Sequence, residues 1–318
     1  MTVDVSPKRQ EAVKRPDRWR PSPWVLLVGA ALVVGVLARM LVSGGVGSGF
    51  LSNLLPWMDG TSVTLYFSDN SSDHLVPVSR TLDGDNDSAE GLLSALLGGP
   101  AEGTGLESLL PAGTELRSAS VDGAVIRADL SSAYLDGRTP LTDTALLQSM
   151  ASWPGVSEVR LTVEGAPLTV DAASRHLSFF YHPARAMLVA EPVDASGPRD
   201  ILNTYLKGPG TDDLVGLPPD VEVLGFETGG GNGLIKINMT YTPAVREFAT
   251  SDGDGMRRVL EGLIATLTTG FPDTQYVYLD FEGHATLGLG QCANLLRRVQ
   301  PPPETLNDER LLSPAPGA

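Results

Sequence analysis

The chain has 318 residues, of which 42% are hydrophobic and 19% charged, a balance typical of a globular protein with room for two domains. Its net charge of −15 argues against a nucleic-acid partner, and we expect none. The single cysteine, Cys292, excludes an internal disulfide and a thiolate metal cluster.

The N-terminal region has the pattern of a tail followed by a membrane anchor. Residues 1–23 carry six basic side chains against three acidic ones, and residues 24–42 (WVLLVGAALVVGVLARMLV) are almost wholly apolar. A helix of this length spans roughly the hydrocarbon core of a bilayer. Because basic residues flank the cytoplasmic end of such spans, we expect residues 1–23 to be cytoplasmic and the rest of the chain to lie outside.

A cleavable signal peptide is the main alternative to an anchor, since residues 36–38 (VLA) resemble a cleavage site. Apolar residues continue past that site at 40–42, which favours an uncleaved, single-pass anchor in the cell membrane. A buried soluble helix is disfavoured because the segment has no polar face. Residues 43–60 are rich in glycine and serine and predict a spacer.

An internal repeat organises the remainder of the chain. Residues 92–116 recur at 201–224: each copy ends an amphipathic helix at Gly-Pro, continues as an acidic loop and reaches Leu-Pro before a strand. The repeat predicts one domain at residues 61–166, a second at residues 177–290, and a proline-rich tail at residues 291–318.

In domain one, the apolar pattern predicts seven elements in chain order. They are strands at 63–67 and 75–80, a helix with Ala89, Leu92, Leu93, Leu96 and Leu97 on one face, strands at 116–121 and 125–130, a helix at 141–151 and a strand ending at Gly165. Asp87 and Glu90 predict a capping box for the first helix, and Asp122-Gly123 predicts a tight hairpin.

Domain two repeats that order. Strands are expected at 177–181, 187–193, 221–226, 234–239 and 277–281, with Pro198 starting one helix and the apolar stripe Val259, Leu260, Leu263, Ile264 and Leu267 marking the other. Each unit therefore predicts a β-β-α-β-β-α-β sheet with helices on one face, an α+β sandwich. In the tail, we expect a short helix-like run at 295–299 and disorder over the last fifteen residues.

Several motifs in domain one resemble the GerMN domain family. They are VTLYF at 63–67, LVPVSR at 75–80, LLGGP at 96–100, LPAGT at 110–114 and the Pro-Gly-Val run from Pro154. Residues 186–283 resemble a second, more diverged copy. That copy keeps Lys-Gly-Pro at 207–209, Leu217-Pro218, Phe271-Pro272 and a final Phe-Glu-Gly, but it has no equivalent of Arg80.

The resemblance implies a membrane-tethered bacterial envelope protein of sporulation or germination. The GerMN module is similar to the small α+β domains that build rings and scaffolds between membranes, and the family supplies no catalytic residues to carry over. The expected partners are therefore envelope or sporulation proteins, or further copies of the chain, close to peptidoglycan.

No motif in the sequence predicts a catalytic residue, a metal site or a cofactor. The four histidines, His74, His176, His182 and His284, lack metal-ligand spacing and a nucleophile motif, so we expect surface or strand-edge roles.

Residues 83–87 and 251–255 imitate the start of a calcium loop, but Ser94 stands where the first would need its closing acid. Turns and helix caps explain both. Arg80 and Glu164 are expected to form an exposed strand-end ion pair.

Three functions remain open on the sequence. The favoured one is a non-enzymatic envelope protein that binds another protein, or assembles, through a rigid pair of domains. The alternatives are a peptidoglycan hydrolase, which would need a zinc site or a carboxylate pair in a cleft, and a wall-binding module.

Overall fold

The computed structural model describes residues 60–69, 74–170, 176–229, 233–269, 271, 273–283 and 289–312, all of which lie in one compact unit. The predicted cytoplasmic tail, the anchor at 24–42 and almost all of the spacer lie outside the described residues. Among the described helices, none is both long and apolar enough to cross a membrane.

The first repeat begins at Thr61. Its strands are β1 (Thr61–Asp69), β2 (Leu75–Leu82), β3 (Leu106–Glu107), β4 (Leu116–Asp122), β5 (Val125–Leu130), β6 (Glu158–Val163) and β7 (Ala166–Pro167). Its helices are α1 (Ala89–Leu97) and α2 (Pro140–Ala151).

The second repeat begins at His176. Its strands are β8 (His176–His182), β9 (Met187–Val193), β10 (Val223–Thr228), β11 (Leu234–Met239), β12 (Tyr276–Phe281) and β13 (Val299–Gln300). Its helices are α3 (Pro198–Tyr205), α4 (Pro243–Ser251) and α5 (Gly253–Thr268). The order β-β-α-β-β-α-β is present in both repeats, and the second repeat adds α4, which the sequence did not predict.

The strands of each repeat are divided between two sheets, so the expectation of one sheet per unit is wrong. β1 and β2 join β9 and β8 in a shared five-stranded sheet of order β3-β1-β2-β9-β8. The remaining strands form an outer sheet in each repeat, of order β4-β5-β6-β7 and β10-β11-β12-β13. Within the outer sheets, β5 runs parallel to β6 and β11 runs parallel to β12, each pair connected through a helix.

The two longer helices lie between the shared sheet and the outer sheets. α2 contacts β1 and β6, and α5 contacts β8 and β12. All five residues of the predicted stripe on α5 are at most 2% exposed. Because β8 is buried along almost its whole length, the shared sheet is packed on both faces.

Serine and threonine hydroxyls on these helices satisfy the free edges of the shared sheet. The amide of Tyr66 on β1 donates to Ser149 Oγ of α2 at 3.0 Å, and the amide of Thr64 donates to Ser152 Oγ, directly after α2, at 2.9 Å. In the second repeat, Phe179 N on β8 donates to Thr266 Oγ1 of α5 at 2.8 Å. An unpaired strand edge is a template for unwanted association, and here a helix covers it in both repeats.

The helix ends explain the Gly-Pro motif that marks the repeat. Gly99 follows α1 with φ +81° and Gly208 follows α3 with φ +88°, a left-handed conformation that ends helices and favours glycine. At the start of α1, Ser88 caps the helix by accepting a hydrogen bond from Gly91 N. The capping box predicted at Asp87 and Glu90 is therefore wrong by one residue.

The C-terminal segment departs most from its prediction. The helical turn expected at 295–299 lies earlier, at Gly290–Asn294, and Val299–Gln300 pairs with β12 as β13. Residues 304–312, for which disorder was predicted, are ordered: Leu306 is 6% exposed and Asn307 is 2% exposed. We call residues 304–312 the strap.

Candidate functional site at the junction of the repeats

A cavity of about 630 Å³ lies at the junction of the two repeats. Its walls come from β1, α2 and β6 of the first repeat, from the end of α5 in the second repeat, from residues 168–170 between the repeats, and from the C-terminal segment. Neither repeat alone contains all these walls. The volume falls in the range of ligand pockets in proteins.

The cavity lining combines apolar side chains with uncharged hydrogen-bonding groups. Leu161, Leu168 and Phe271 contribute apolar surface, while Thr64 and Ser157 contribute hydroxyls. The charged side chain in the lining is Glu158, whose carboxylate binds Arg160 at 2.6 Å. The cavity therefore suits an uncharged, largely apolar group.

Buried charges near the C-terminal end of β1 tie the repeats together. Asp69 of the first repeat and Arg185 of the second form an ion pair at 2.8 Å, with side chains 3% and 2% exposed. Arg185 also donates to the carbonyl of Thr104 at 2.8 Å. A second ion pair across the junction joins His74 to Glu191, with 3.2 Å between His74 Nε2 and Glu191 Oε1.

The surroundings of His74 favour its charged form. The hydrogen bond to Glu191 raises the pKa of His74 above its usual value, burial opposes this, and the carboxylates of Asp213 and Asp69 raise it further. His182 extends the cluster, since its Nε2 lies 3.6 Å from Asp213 Oδ2. His74 and His182 lie at strand ends as expected, but both are buried, so the expected surface role is wrong for them, and the contact of His74 with Glu191 across the junction was not predicted.

The strap connects the repeats through the side chain of Asn307. Its Nδ2 donates to the carbonyls of Pro77 on β2 and Leu188 on β9, at 2.7 and 2.8 Å. Its Oδ1 accepts hydrogen bonds from Leu188 N and from Arg258 of α5. One amide side chain therefore links β2, β9 and α5.

Arg80 holds the far end of the strap instead of meeting Glu164 as predicted. Its guanidinium donates to both carboxylate oxygens of Glu309 at 2.8 and 2.6 Å, and to the carbonyls of Ala95 and Gly99. Burial would raise the pKa of Glu309, but the hydrogen bonds from Arg80 and from the amide of Ala101 outweigh it and lower the pKa.

Glu164 binds Arg117, and its second oxygen accepts a hydrogen bond from Ser132 N. The equivalent residue, Glu282, likewise accepts from Tyr241 N. Both glutamates adopt positive φ, 51° and 48°, ahead of a glycine. The repeated Glu-Gly motif is therefore a turn that fixes the loop after the neighbouring strand.

The other candidate residues have structural roles or lie outside the described part. His176 stacks on Phe271 with 4.5 Å between ring centroids, and His284 is outside the described residues. Residues 83–87 form an exposed turn, while Asp252 caps α5 by accepting from Gly255 N. Burial raises the pKa of the Cys292 thiol to about 11. Among the described residues, no group of three His, Cys, Asp or Glu could hold a metal ion.

The shared sheet, the buried ion pairs and the strap join two α+β domains in one compact unit, so the chain is of the class of tandem α+β domain proteins. The chain belongs to the Germane family, described as sporulation and spore germination, with residues 64–169 and 179–286 matched. The resemblance found in the sequence is thereby confirmed for both repeats. No curated protein matches the chain.

Several solved structures are similar to it, including two of GerMN domains. The tandem GerMN domains of the sporulation protein GerM from Bacillus subtilis match with 16% identity and a TM-score of 0.53, covering 78% of this chain and 98% of that one. The first GerMN domain of the same protein matches with 18% identity and a TM-score of 0.26, covering 34% of this chain and 85% of that one. The match to the tandem protein shows the fold of the paired domains.

Proposed function

We propose that the chain is a membrane-anchored envelope protein of sporulation or germination that acts without catalysis, by binding a protein partner through its paired domains. The observation that carries this proposal is the cavity formed jointly by both repeats and the C-terminal segment. A pocket at a domain junction is a common place for binding, and an apolar anchor from a partner is the kind of group that its lining suits.

The ionisable side chains at the junction form ion pairs with one another, and this also supports binding rather than catalysis. His74, Arg185 and Arg80 each bind a carboxylate that belongs to another element of the junction. Tyr134 donates to Asp143, which also binds Arg138 at 2.6 Å, and this network fixes the start of α2. The first three contacts hold the parts of the junction together and the Tyr134 network fixes α2, and a preorganised binding surface requires such fixed positions.

The test uses the full chain in membranes of cells entering sporulation. Ala151 is exposed at the end of α2 and lines the cavity, so the indole of Ala151→Trp should obstruct the cavity without disturbing the core. Ala112→Trp, at an exposed turn that is not in the cavity lining, is the matched control. We expect a crosslinked partner with the wild type and the control, and its loss with Ala151→Trp.

Equal capture by all three forms would show that the cavity is not the binding surface. Release of peptidoglycan fragments by the purified chain, abolished by changing one carboxylate to its amide, would instead support the hydrolase. Binding of purified peptidoglycan without turnover, lost in Ala151→Trp, would support the wall-binding module.

The location is tested separately. The basic residues before the apolar segment 24–42 support an anchor with the repeats outside the cell. Protease added to intact protoplasts should therefore digest both repeats. Protection of the second repeat under these conditions would contradict the proposed location.

A further inference from the structure

The cavity contains a buried tyrosine whose hydroxyl group is not bound by the protein. Tyr66 of β1 lines the cavity and is 3% exposed. Its backbone amide donates to Ser149 Oγ, but within the part of the chain that the structure describes no group forms a hydrogen bond with its phenol oxygen. Burial raises the pKa of Tyr66, so the hydroxyl keeps its proton and can donate. Buried hydroxyls in native proteins are normally hydrogen-bonded, so this one points to a ligand.

The register of the shared sheet places the Tyr66 side chain on the face that holds the cavity. Thr64 lies opposite Ser79 in the pairing of β1 with β2, and opposite residues of an antiparallel pair share a face. Ser79 Oγ accepts a hydrogen bond from the amide of Leu306, which lines the cavity. Because side chains two residues apart lie on the same face of a strand, Tyr66 shares this face with Thr64. The tyrosine therefore lies on the side of β1 where the C-terminal segment forms a wall of the cavity.

The other hydroxyl groups in the lining are already bound or reach water. Ser152 and Thr268 donate to backbone carbonyls about one turn earlier in the chain. The remaining hydroxyls are exposed or half-buried, and they belong to Thr64, Ser157 and Thr269. Most of the other lining residues are apolar. An occupant of the cavity therefore meets apolar walls and one buried hydrogen-bond donor.

We propose that Tyr66 determines the specificity of the cavity by donating a hydrogen bond to a carbonyl oxygen on the apolar segment that the protein partner inserts. This inference rests on the proposed function and names the chemistry of the inserted group. A purely hydrocarbon group would leave the hydroxyl of Tyr66 unpaired in a buried site, and a site with a buried donor rejects such a group. One polar group among apolar walls also fixes the orientation of the occupant.

Two matched probes test the role of the hydroxyl. Benzophenone and diphenylmethane are uncharged, apolar and similar in shape, and they differ in a carbonyl that is replaced by a methylene. The full-length chain in phosphatidylcholine nanodiscs is dialysed to equilibrium with each probe against empty nanodiscs, which cancels the partition of the probe into lipid. We expect Tyr66→Phe to lower the preference for benzophenone, measured as the ratio of the two Kd values, by about fivefold, as the loss of one hydrogen bond does.

Tyr205→Phe is the matched control, because Tyr205 is also buried but donates to the carbonyl of Val259 at 3.0 Å and is not in the cavity lining. It should lower the melting temperature and leave the preference for benzophenone unchanged. Tyr66→Phe should keep the melting temperature, because it removes no hydrogen bond within the protein. Ala151→Trp should weaken the binding of both probes. An unchanged preference in Tyr66→Phe, an equal loss of preference in Tyr205→Phe, or no binding of either probe to the wild type would overturn the inference.

Capture of the partner in membranes separates this inference from the proposed function. We expect Tyr66→Phe to reduce the crosslinked partner, as Ala151→Trp does. Loss of the partner in Ala151→Trp with full capture in Tyr66→Phe would overturn the role of Tyr66 alone. Full capture in both variants would contradict the proposed function itself.

Discussion

Asp69 and Arg185 lie 2.8 Å apart in the buried junction, and this contact joins residues from different repeats. Removal of one partner of a buried ion pair typically costs about 3–5 kcal/mol of stability. We therefore expect Arg185→Met to lower the free energy of unfolding of residues 60–312 by about that much, measured by urea denaturation.

The exposed ion pair of Arg160 and Glu158 provides the comparison, because its side chains are 55% and 50% exposed. Arg160→Met should leave the free energy of unfolding nearly unchanged, because exposed ion pairs contribute little to stability. A loss of similar size in both variants would show that burial of the Asp69–Arg185 pair adds nothing to its contribution.

The protonation of His74 should make the stability of the junction depend on pH. Because the pKa of His74 is raised in the folded protein, its contribution is fully present below the ordinary histidine value of 6.5 and is lost as the pH rises through the higher folded pKa. The stability difference between the wild type and His74→Gln should therefore be largest in mild acid and shrink in mild alkali. A difference that grows with rising pH would contradict this sign.

Gly262 allows α5 to approach β8. A Cβ atom at this position would lie 2.5 Å from the carbonyl oxygen of Phe179, a backbone atom that cannot turn aside. Gly262→Ala should destabilise the protein by about 1–3 kcal/mol, as overpacking does. In Gly253→Ala, the nearest atom would be 4.0 Å away, and we expect no loss of stability. The melting temperatures of Gly262→Ala and Gly253→Ala, measured by thermal unfolding, test this difference.

The hydroxyl of Thr266 satisfies a backbone amide at the edge of the shared sheet, and its removal should destabilise that edge. In Thr266→Val, the amide of Phe179 loses its acceptor while the side chain keeps its shape, and we expect a loss of about 1–3 kcal/mol. Thr268→Val is the control, since the Thr268 hydroxyl bonds to carbonyls of its own helix. Amide exchange should accelerate at Phe179 in the first variant and remain unchanged in the second.

Most of the helices and strands could be predicted because each repeat buries a regular face. Val277, Leu279 and Phe281 alternate along β12 and are all fully buried, as a half-buried strand requires. α4 escaped prediction because it buries two side chains, Val245 and Ala249, and presents no continuous apolar stripe. The sequence carried one sign of the shared sheet: Phe179, Phe180 and Tyr181 of β8 are three consecutive large hydrophobic residues without alternation, as in strands covered on both faces.

The junction could not be predicted in the same way, because its contacts join residues far apart in sequence through polar groups. Asn307 lies in a segment rich in proline and charge, for which burial of apolar surface gives no reason to expect order. Asn307 is held by the backbone carbonyls of Pro77 and Leu188. Because every residue has a backbone carbonyl, the sequence does not indicate which ones bind this side chain. Arg80 was recognised as part of a family motif, but its partner, Glu309, lies in that same segment.

The position of the strap near the C-terminus also sets the order in which the parts of the fold can form during synthesis. Asn307 is 230 residues beyond Pro77, so β2 leaves the ribosome long before the side chain that completes its edge. During that interval, the two repeats can form their helices and join directly at Leu75 and Ala190, but the part of the junction that Asn307 fills stays empty. A chain that ends before residue 304 would therefore have both domains but would lack the segment that covers their junction. The exposed strand edge would be accessible to proteases and to other proteins.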